Sequence, residues 1–452
     1  MTTRIIVLAA GKGTRMKSAM PKVLHRLAGK PLLAHVLDTS ASLDPKSITV
    51  VIGHESDQVK STIEHTVQWA MQTEQLGTGH AVKEGLEGIE DDDTVLITYG
   101  DVPLTRASTY QALLDVCDDK TIGLLTLIMR DPTGYGRIRR EGGAIVGVVE
   151  QKDATTEQLG ITEVNAGVVA IKGGSLRDLL NRIDNKNAQG EYYLTDIHEL
   201  AVKDGLSVMA VHPDDAWEVD GVNSRSQLAR LERLHQEQMA EALMDAGVTL
   251  ADPSRIDIRG SLSTGRDVTI DVNCVFEGDN VIGDNVNIGA NCLITGSKIE
   301  EGTQILANCV LDNAIVGENA TVGPFARLRP GTRTDKNIRI GNFVETKNTE
   351  LGAGSKINHL SYVGDSTVGK DVNVGAGTIT CNYDGANKHR TVIGDGAFIG
   401  SNSALVAPVV ISEGATVGAG STISRDVPAD GLTLTRAEQR DIKNWSRPVK
   451  NK

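Results

Sequence analysis

Aromatic residues are scarce in this chain. They make up 3% of 452 residues, while glycines number 48. A composition poor in rings and rich in glycine argues against a helical core and for a β architecture punctuated by turns. Basic charge is also in deficit, with a formal net charge of -13. That disfavours a nucleic-acid partner, so an anionic small substrate has to be held by local cations. No apolar stretch approaches the roughly 18 residues of a membrane span. Arg4 and the short apolar run after it are too little for a secretory signal, so a cytoplasmic protein without a membrane partner is expected. Cys117, Cys274, Cys292, Cys309 and Cys381 are scattered without metal-ligand spacing. They read as buried free thiols in a reducing compartment. The length implies two or three domains.

What is present begins at the N-terminus. The apolar run Ile5 to Ala10 reads as a buried strand. It enters LAAGKGTRMKSAMPK, residues 8–22, where Gly11 and Gly13 let the backbone turn and expose N–H groups to an anion. Lys12, Arg15, Lys17 and Lys22 add four cations within a dozen residues. Strand, glycine turn and cations together describe a phosphate-handling loop. It is not a P-loop, because no Lys-Ser/Thr pair follows the second glycine. It is not the GxGxxG fingerprint either, because Met16 stands at the third glycine.

Residues 1 to about 222 alternate strand-like runs (48–53, 94–100, 122–129, 165–171) with helical spacing (110–117, 176–182). An α/β domain with a largely parallel, Rossmann-like sheet is expected. Over 224–246, Leu228, Leu231, Leu234, Met239 and Leu243 lie near helical spacing. Asn223 or Ser224 is placed to cap the start and Gly247 to end it, which predicts one linker helix. From there to about residue 423, aliphatic or small residues recur every six positions. Ile270, Phe276, Ile282, Ile288 and Ile294 make one such run, and Ile393, Ile399, Leu405, Ile411, Val417 and Ile423 another. The step shortens to five between Ile294 and Ile299, Leu311 and Val316, Thr346 and Leu351, and Val363 and Val368, a near-constant reset. Coils of three sides follow, hence a parallel β-helix of hexapeptide repeats. The insertion CNYDGANKHRTV, residues 381–392, is a candidate binding loop. After Leu432 the period is lost in a basic tail. The expected domains are 1–223, a linker helix 224–247, and 248–452.

Transfer of a nucleotide needs a metal, cations on the phosphates and a nucleophile held in line. Asp101, after the strand TVLITYG, points a carboxylate into the crevice of an open sheet, although it also reads as a helix cap. Mg²⁺ takes one or two hard protein oxygens, so a second is expected elsewhere. Gln72, Gly77 and Thr78 suit hydrogen bonding to a base or ribose. Glu150 and Asn165 are candidates for sugar hydroxyls.

Taken together, LAAGKGTRM, QLGTGHA, YGDVPL, DPTGYGRI, NAQGEYYLTD, EVDGVNSR, GPFARLRPG, GNFVETKN, HLSYVGD, NVGAGTITCNYDG and RPVKNK resemble a bacterial family along the whole chain. It is the bifunctional N-acetylglucosamine-1-phosphate uridylyltransferase / glucosamine-1-phosphate N-acetyltransferase family. The resemblance implies that Leu8, Ala9, Ala10, Gly11, Lys22, Gln72, Gly77, Thr78, Tyr99, Gly100, Asp101, Gly136, Glu150, Asn165 and Asn223 form the nucleotide and sugar site. Asp101 and Asn223 would carry Mg²⁺, and Arg15 and Lys22 would neutralise the leaving pyrophosphate. In the second half it implies Arg329, Lys347, Tyr362 and Asn373 for the sugar phosphate, and His359 as general base. Ala376, Asn382, Tyr383, Ser401, Ala419 and Arg436 would hold acetyl-CoA. It further implies a left-handed β-helix, a homotrimer, and a product, UDP-N-acetylglucosamine, that feeds cell-wall and lipopolysaccharide precursors. A monofunctional nucleotidylyltransferase with a purely structural β-helix is the alternative, and a non-catalytic assembly protein a more distant one.

Overall fold

The computed structural model describes residues 2–11, 13–53 and 56–450. Lys12 lies outside them. The chain divides into two compact units, Met1–His235 and Gln236–Lys452.

In the first unit, strands run in the order Ser207–Val211, Thr121–Ile128, Glu163–Lys172, Thr94–Tyr99, Thr3–Leu8, Ser47–Ile52 and Gln68–Met71. Strand alternation sends Ile6 and Leu8 into one core and Ile5 and Val7 into another, so both faces of the sheet are covered. The sheet is largely parallel, as expected, with one reversed strand on its main path. Glu163–Lys172 runs antiparallel to both of its neighbours. The hairpin Arg137–Glu141 and Ala144–Val149 precedes it and turns through Gly142 and Gly143, both at positive φ. The odd number of reversals brings the chain back in the opposite direction.

The helix expected over 224–246 spans Arg225–Asp245. Ser224 is its cap, with Oγ accepting from Gln227 N at 3.3 Å. The Gln227 side chain returns the bond to Asn223 N. Gly247, at φ 97, ends it. No described helix is long and apolar enough to cross a membrane.

The second unit is a stack of parallel coils. Its strands fall into an 11-stranded and a 15-stranded sheet. The larger sheet covers two sides because Cys274–Ile282, Glu345–Leu351 and Tyr362–Val368 run unbroken round a corner. Residues of the hexad series sit in register, as in Phe276, Ile294, Leu311 and Leu328, and line a continuous buried core. Some inward threonines are satisfied by the adjacent coils. Thr380 Oγ1 accepts from Gly364 N at 2.8 Å, and Thr334 Oγ1 accepts from Gly317 N at 3.0 Å. Asparagines such as Asn273, Asn291 and Asn308 take the left-handed corner conformation that this side chain tolerates. Four cysteines are buried free thiols as expected. Cys381 is free but only half-buried, because it follows the inward Thr380 and alternation turns it away from the core.

Candidate active sites

A cleft of about 330 Å³ opens at the C-terminal ends of the parallel strands. Leu8, Ala9, Ala10, Gly11, Lys22, Gln72, Gly77, Thr78, Tyr99 and Asp101 line it, together with Val23, Gln75, Ala81 and Glu191. The two loop glycines do different work. Gly13 has φ +58, and a Cβ there would meet the Lys22 Cβ at 2.6 Å, so glycine lets the loop close on the Lys22 segment. Gly11 is at ordinary φ, and a Cβ there would meet nothing within 4 Å, so its open side is the cleft. Gly77 has φ 114 and ψ 176, a region open essentially to glycine alone. It lets the loop pass against Tyr192, whose carbonyl accepts from Gly79 N at 2.8 Å. Gln72 Nε2 donates to Gly77 O at 3.0 Å and to His80 Nδ1 at 3.1 Å, which fixes the loop from below.

Asp101 follows the strand Thr94–Tyr99 directly. It is not a helix cap, since the next helix starts at Ala107 with Arg106 as its cap. Lys22 Nζ pairs with the Asp101 carboxylate and lies 3.1 Å from Asn223 Oδ1. Two hard oxygens from distant parts of the chain thus converge on the Lys22 ammonium, and one carboxylate and one amide oxygen fit part of the oxygen shell of a hard divalent ion. The described residues contain no cluster of three or more His, Cys, Asp or Glu able to hold a metal by themselves. Arg15 is exposed at the rim of this loop.

Gly136, Glu150 and Asn165 come together beside the hairpin. Asn165 N donates to Gly136 O at 2.9 Å, and a Cβ on Gly136 would lie 3.6 Å from both Glu150 carboxylate oxygens. Burial pushes the Glu150 carboxyl up, against the opposing hydrogen bond from the Thr195 hydroxyl at 3.0 Å. Asn165 Oδ1 accepts from Gly167 N, which orients the amide. Burial, and then the carboxylates of Glu150 and Asp101, raise the Tyr99 phenol well above its ordinary range.

On the β-helix, Arg329, Glu345, Lys347, Tyr362, Asp365 and Asn382 form one polar cluster. Arg329 Nη1 pairs with Glu345 Oε1 at 2.9 Å, and Tyr362 lies opposite Glu345 in register. Lys347 Nζ is 3.5 Å from Asp365 Oδ2. Burial alone would raise the Asp365 carboxyl, but the amides of Asn348 and Asn382 and the Lys347 ammonium pull it below its ordinary range. Asn382 Nδ2 also reaches Tyr362 OH at 3.4 Å. His359 is exposed at the end of strand Lys356–His359, and Asn373 lies on the next coil, opposite Lys356.

His359, Ala376, Ser401 and Ala419 follow one another along one corner of successive coils. Gly377 N donates to His359 O, Asn402 N to Ala376 O at 2.8 Å, and Gly420 N to Ser401 O at 2.7 Å. Arg436 Nη1 donates to Ala419 O at 2.9 Å, which brings the start of the basic tail to this edge. In the inserted loop, Tyr383 is exposed and pairs with Lys388 across a short bridge, and Asp384 staples the loop through Ala386 N, Asn387 N and His389.

Comparison with known proteins agrees with this division. The MobA-like NTP transferase domain matches residues 5–137, the GMPPB C-terminal domain 258–333, and the bacterial transferase hexapeptide (six repeats) 390–425. Bifunctional protein GlmU of Marinobacter nauticus is 56% identical over 448 residues, covering 99% of each chain. Its namesake in Janthinobacterium sp. is 54% identical over 449 residues, with 99% of each chain covered. That of Acinetobacter baylyi is 54% identical over 453 residues and covers 100% of each. The chain belongs to the GlmU family. It is therefore a bifunctional transferase with uridylyltransferase and acetyltransferase activities in UDP-N-acetylglucosamine synthesis, and the β-helix is more than a scaffold.

Within this GlmU fold several residues at the two sites had no individual signal in the sequence. Gln75 donates through Nε2 to Ala10 O and ties the second loop to the first. Glu191 lines the cleft from a segment more than a hundred residues away. Lys388 faces Lys347, and the two like charges, with Arg329 nearby, push the Lys388 ammonium below its ordinary range. The strings QTEQLG, NAQGEYY and GANKHR carried these residues, but only contact across the fold distinguishes them from ordinary loop polarity.

Proposed function

We propose that acetylation of glucosamine-1-phosphate takes place at the His359 edge and precedes uridylyl transfer in the Asp101 cleft. In the acetyl site, Arg329 and Lys347 hold the sugar phosphate, Arg as a fork and Lys as a point charge. Tyr362 and Asn373 hold the sugar. Ala376, Asn382, Tyr383, Ser401, Ala419 and Arg436 hold acetyl-CoA. His359 takes the proton as the amine attacks the thioester carbonyl, the C–N bond forms, the C–S bond breaks, and the proton ends on the departing thiol.

In the cleft, Gly11, Gln72, Gly77 and Thr78 hold the nucleotide and Tyr99, Gly136, Glu150 and Asn165 the sugar. A phosphate oxygen of N-acetylglucosamine-1-phosphate attacks the α-phosphorus of UTP, the α–β bridging bond breaks, and pyrophosphate leaves beside Arg15 and Lys22. Mg²⁺ bound by Asp101 and Asn223 would neutralise phosphate charge there. We assign the working form to a cytoplasmic homotrimer. The ladder of Phe325, Phe343 and Leu360, exposed by 50%, 55% and 63% on successive coils beside His359, supports subunit contact at that edge.

The observation that carries the two-site reading is the presence, in separate units of one chain, of a cleft where two oxygens converge on a cation and of a β-helix that carries the exposed His359 together with the Arg329–Lys347 polar cluster. A coupled assay tests it, following thiol and pyrophosphate separately. His359→Ala is expected to lose thiol release alone, and Asp101→Ala to lose pyrophosphate release alone from supplied N-acetylglucosamine-1-phosphate. Wild type that releases pyrophosphate but no thiol from any amino-sugar phosphate would refute it.

A further inference from the structure

His359 has one side-chain partner among the described residues. Its Nδ1 lies 2.8 Å from Oδ1 of Asn342. The two residues are opposite each other in register, at the ends of strands Arg339–Asn342 and Lys356–His359 on consecutive coils. The same asparagine also anchors the backbone beside the histidine, because Leu360 N donates to Asn342 O at 3.1 Å. Leu360 itself is held in the left-handed region at φ 48, which turns the chain sharply just after His359. Ser361 Oγ donates to His359 O at 2.8 Å from the other side. The imidazole is thus fixed at its backbone and at one ring nitrogen, and the other nitrogen is left open.

An amide oxygen only accepts, so the nitrogen facing it carries the proton. The remaining nitrogen, Nε2, then holds the lone pair. We propose that Asn342 is a positioning residue for acetyl transfer, selecting the tautomer in which Nε2 of His359 is the base. This rests on the reading of His359 as the proton acceptor. The amine nitrogen attacks the thioester carbon, its proton passes to Nε2, the C–S bond breaks, and the proton passes on to the thiolate sulfur. A neutral acceptor is chemically apt. A carboxylate in its place would stabilise the imidazolium and keep the base protonated to higher pH. The charged side chains on these two strands, Arg339 and Lys356, stand at their opposite ends, and Asn342 is the group that meets the ring.

The test uses the full-length wild type, His359→Ala, Asn342→Ala and Asn342→Asp. Long-range ¹⁵N–¹H correlation, assigned by subtracting the His359→Ala spectrum, reads the tautomer directly in the wild type. Nδ1–H is expected; Nε2–H in the wild type overturns the proposal, whether or not any variant folds. Asn342→Ala is expected to lower kcat for thiol release up to about 100-fold with KM for glucosamine-1-phosphate little changed and pyrophosphate release intact. Asn342→Asp should restore the Nδ1–H tautomer and shift the acidic limb of the thiol-release profile upward by about one pH unit. An Asn342→Ala enzyme with wild-type kcat overturns the proposal. If His359→Ala retains thiol release, the base reading itself fails, and the wild-type tautomer still reports separately on the Asn342 contact.

Discussion

The Lys22 ammonium lies 3.1 Å from the amide oxygen of Asn223, 201 positions further along the chain. It simultaneously pairs with Asp101, and both side chains of that pair are largely buried. The three residues enter from the end of a glycine loop, a strand end and the position just before the cap of a long helix. A cation at that point is held by oxygens that the backbone cannot easily withdraw.

Removing one of these oxygens should therefore weaken metal use before it weakens folding. Asn223→Ala is expected to raise the Mg²⁺ concentration required for pyrophosphate release by about tenfold or more, while thiol release is unaffected. Titrating the metal in both assays measures this. A chelator should likewise stop pyrophosphate release alone, and equal sensitivity of the two activities would contradict the assignment.

Gly77→Ala should damage the nucleotide cleft through the backbone. An added Cβ would lie 2.5 Å from Tyr192 O at a φ,ψ pair that favours glycine. Strain of about 1–3 kcal/mol is expected, relieved by movement of the loop. KM for UTP should rise while acetyl transfer stays the same. Unchanged UTP kinetics and an unchanged Tm together would show that the loop tolerates the side chain.

His198 makes the first unit acid-sensitive. It is fully buried in the helix Asp196–Lys203, and neither ring nitrogen has a hydrogen-bond partner. Burial holds its pKa down at about 4, below the ordinary 6.5. His35, lowered to about 4 chiefly by burial, acts in the same direction. Between those values the unfolded chain binds more protons than the folded one. Stability is therefore complete above about pH 6.5 and declines as pH falls towards 4, by about 2 kcal/mol per histidine at pH 5. His198→Leu should flatten part of this slope in thermal melts from pH 7 to 5. An identical slope in variant and wild type would rule out His198 as a source.

Ile340→Ala removes a fully buried side chain from the coil that carries Asn342. A loss of about 2–5 kcal/mol is expected, because a stacked coil closes a cavity poorly. Thiol release should fall with the Tm of the second unit, and pyrophosphate release should survive. Calorimetry alongside both assays distinguishes this from a change confined to the active site.

Much of the architecture was legible in the residues. The hexad series from Ile270 to Ile423 marked the buried positions of the β-helix, because each coil repeats the same environment and so imposes the same residue class. Gly13, Gln72, Gly77 and Asp101 were visible because an anion loop and a strand end demand particular residue types. The reversed strand Glu163–Lys172 was not, since apolar periodicity is identical in parallel and antiparallel strands.

The sequence by itself determined the period of the coils, the glycine-floored loop and the residue types that chemistry at each site requires, because these depend on local backbone geometry and on side-chain class. Only the tertiary structure decided that Asn223 meets Lys22, that Gln75 and Glu191 join the cleft, and that Asn342 faces Nδ1 of His359. Those pairings depend on how distant strands and loops are brought together by packing, and an asparagine or a glutamate reads the same in a sequence whether it faces solvent or a partner.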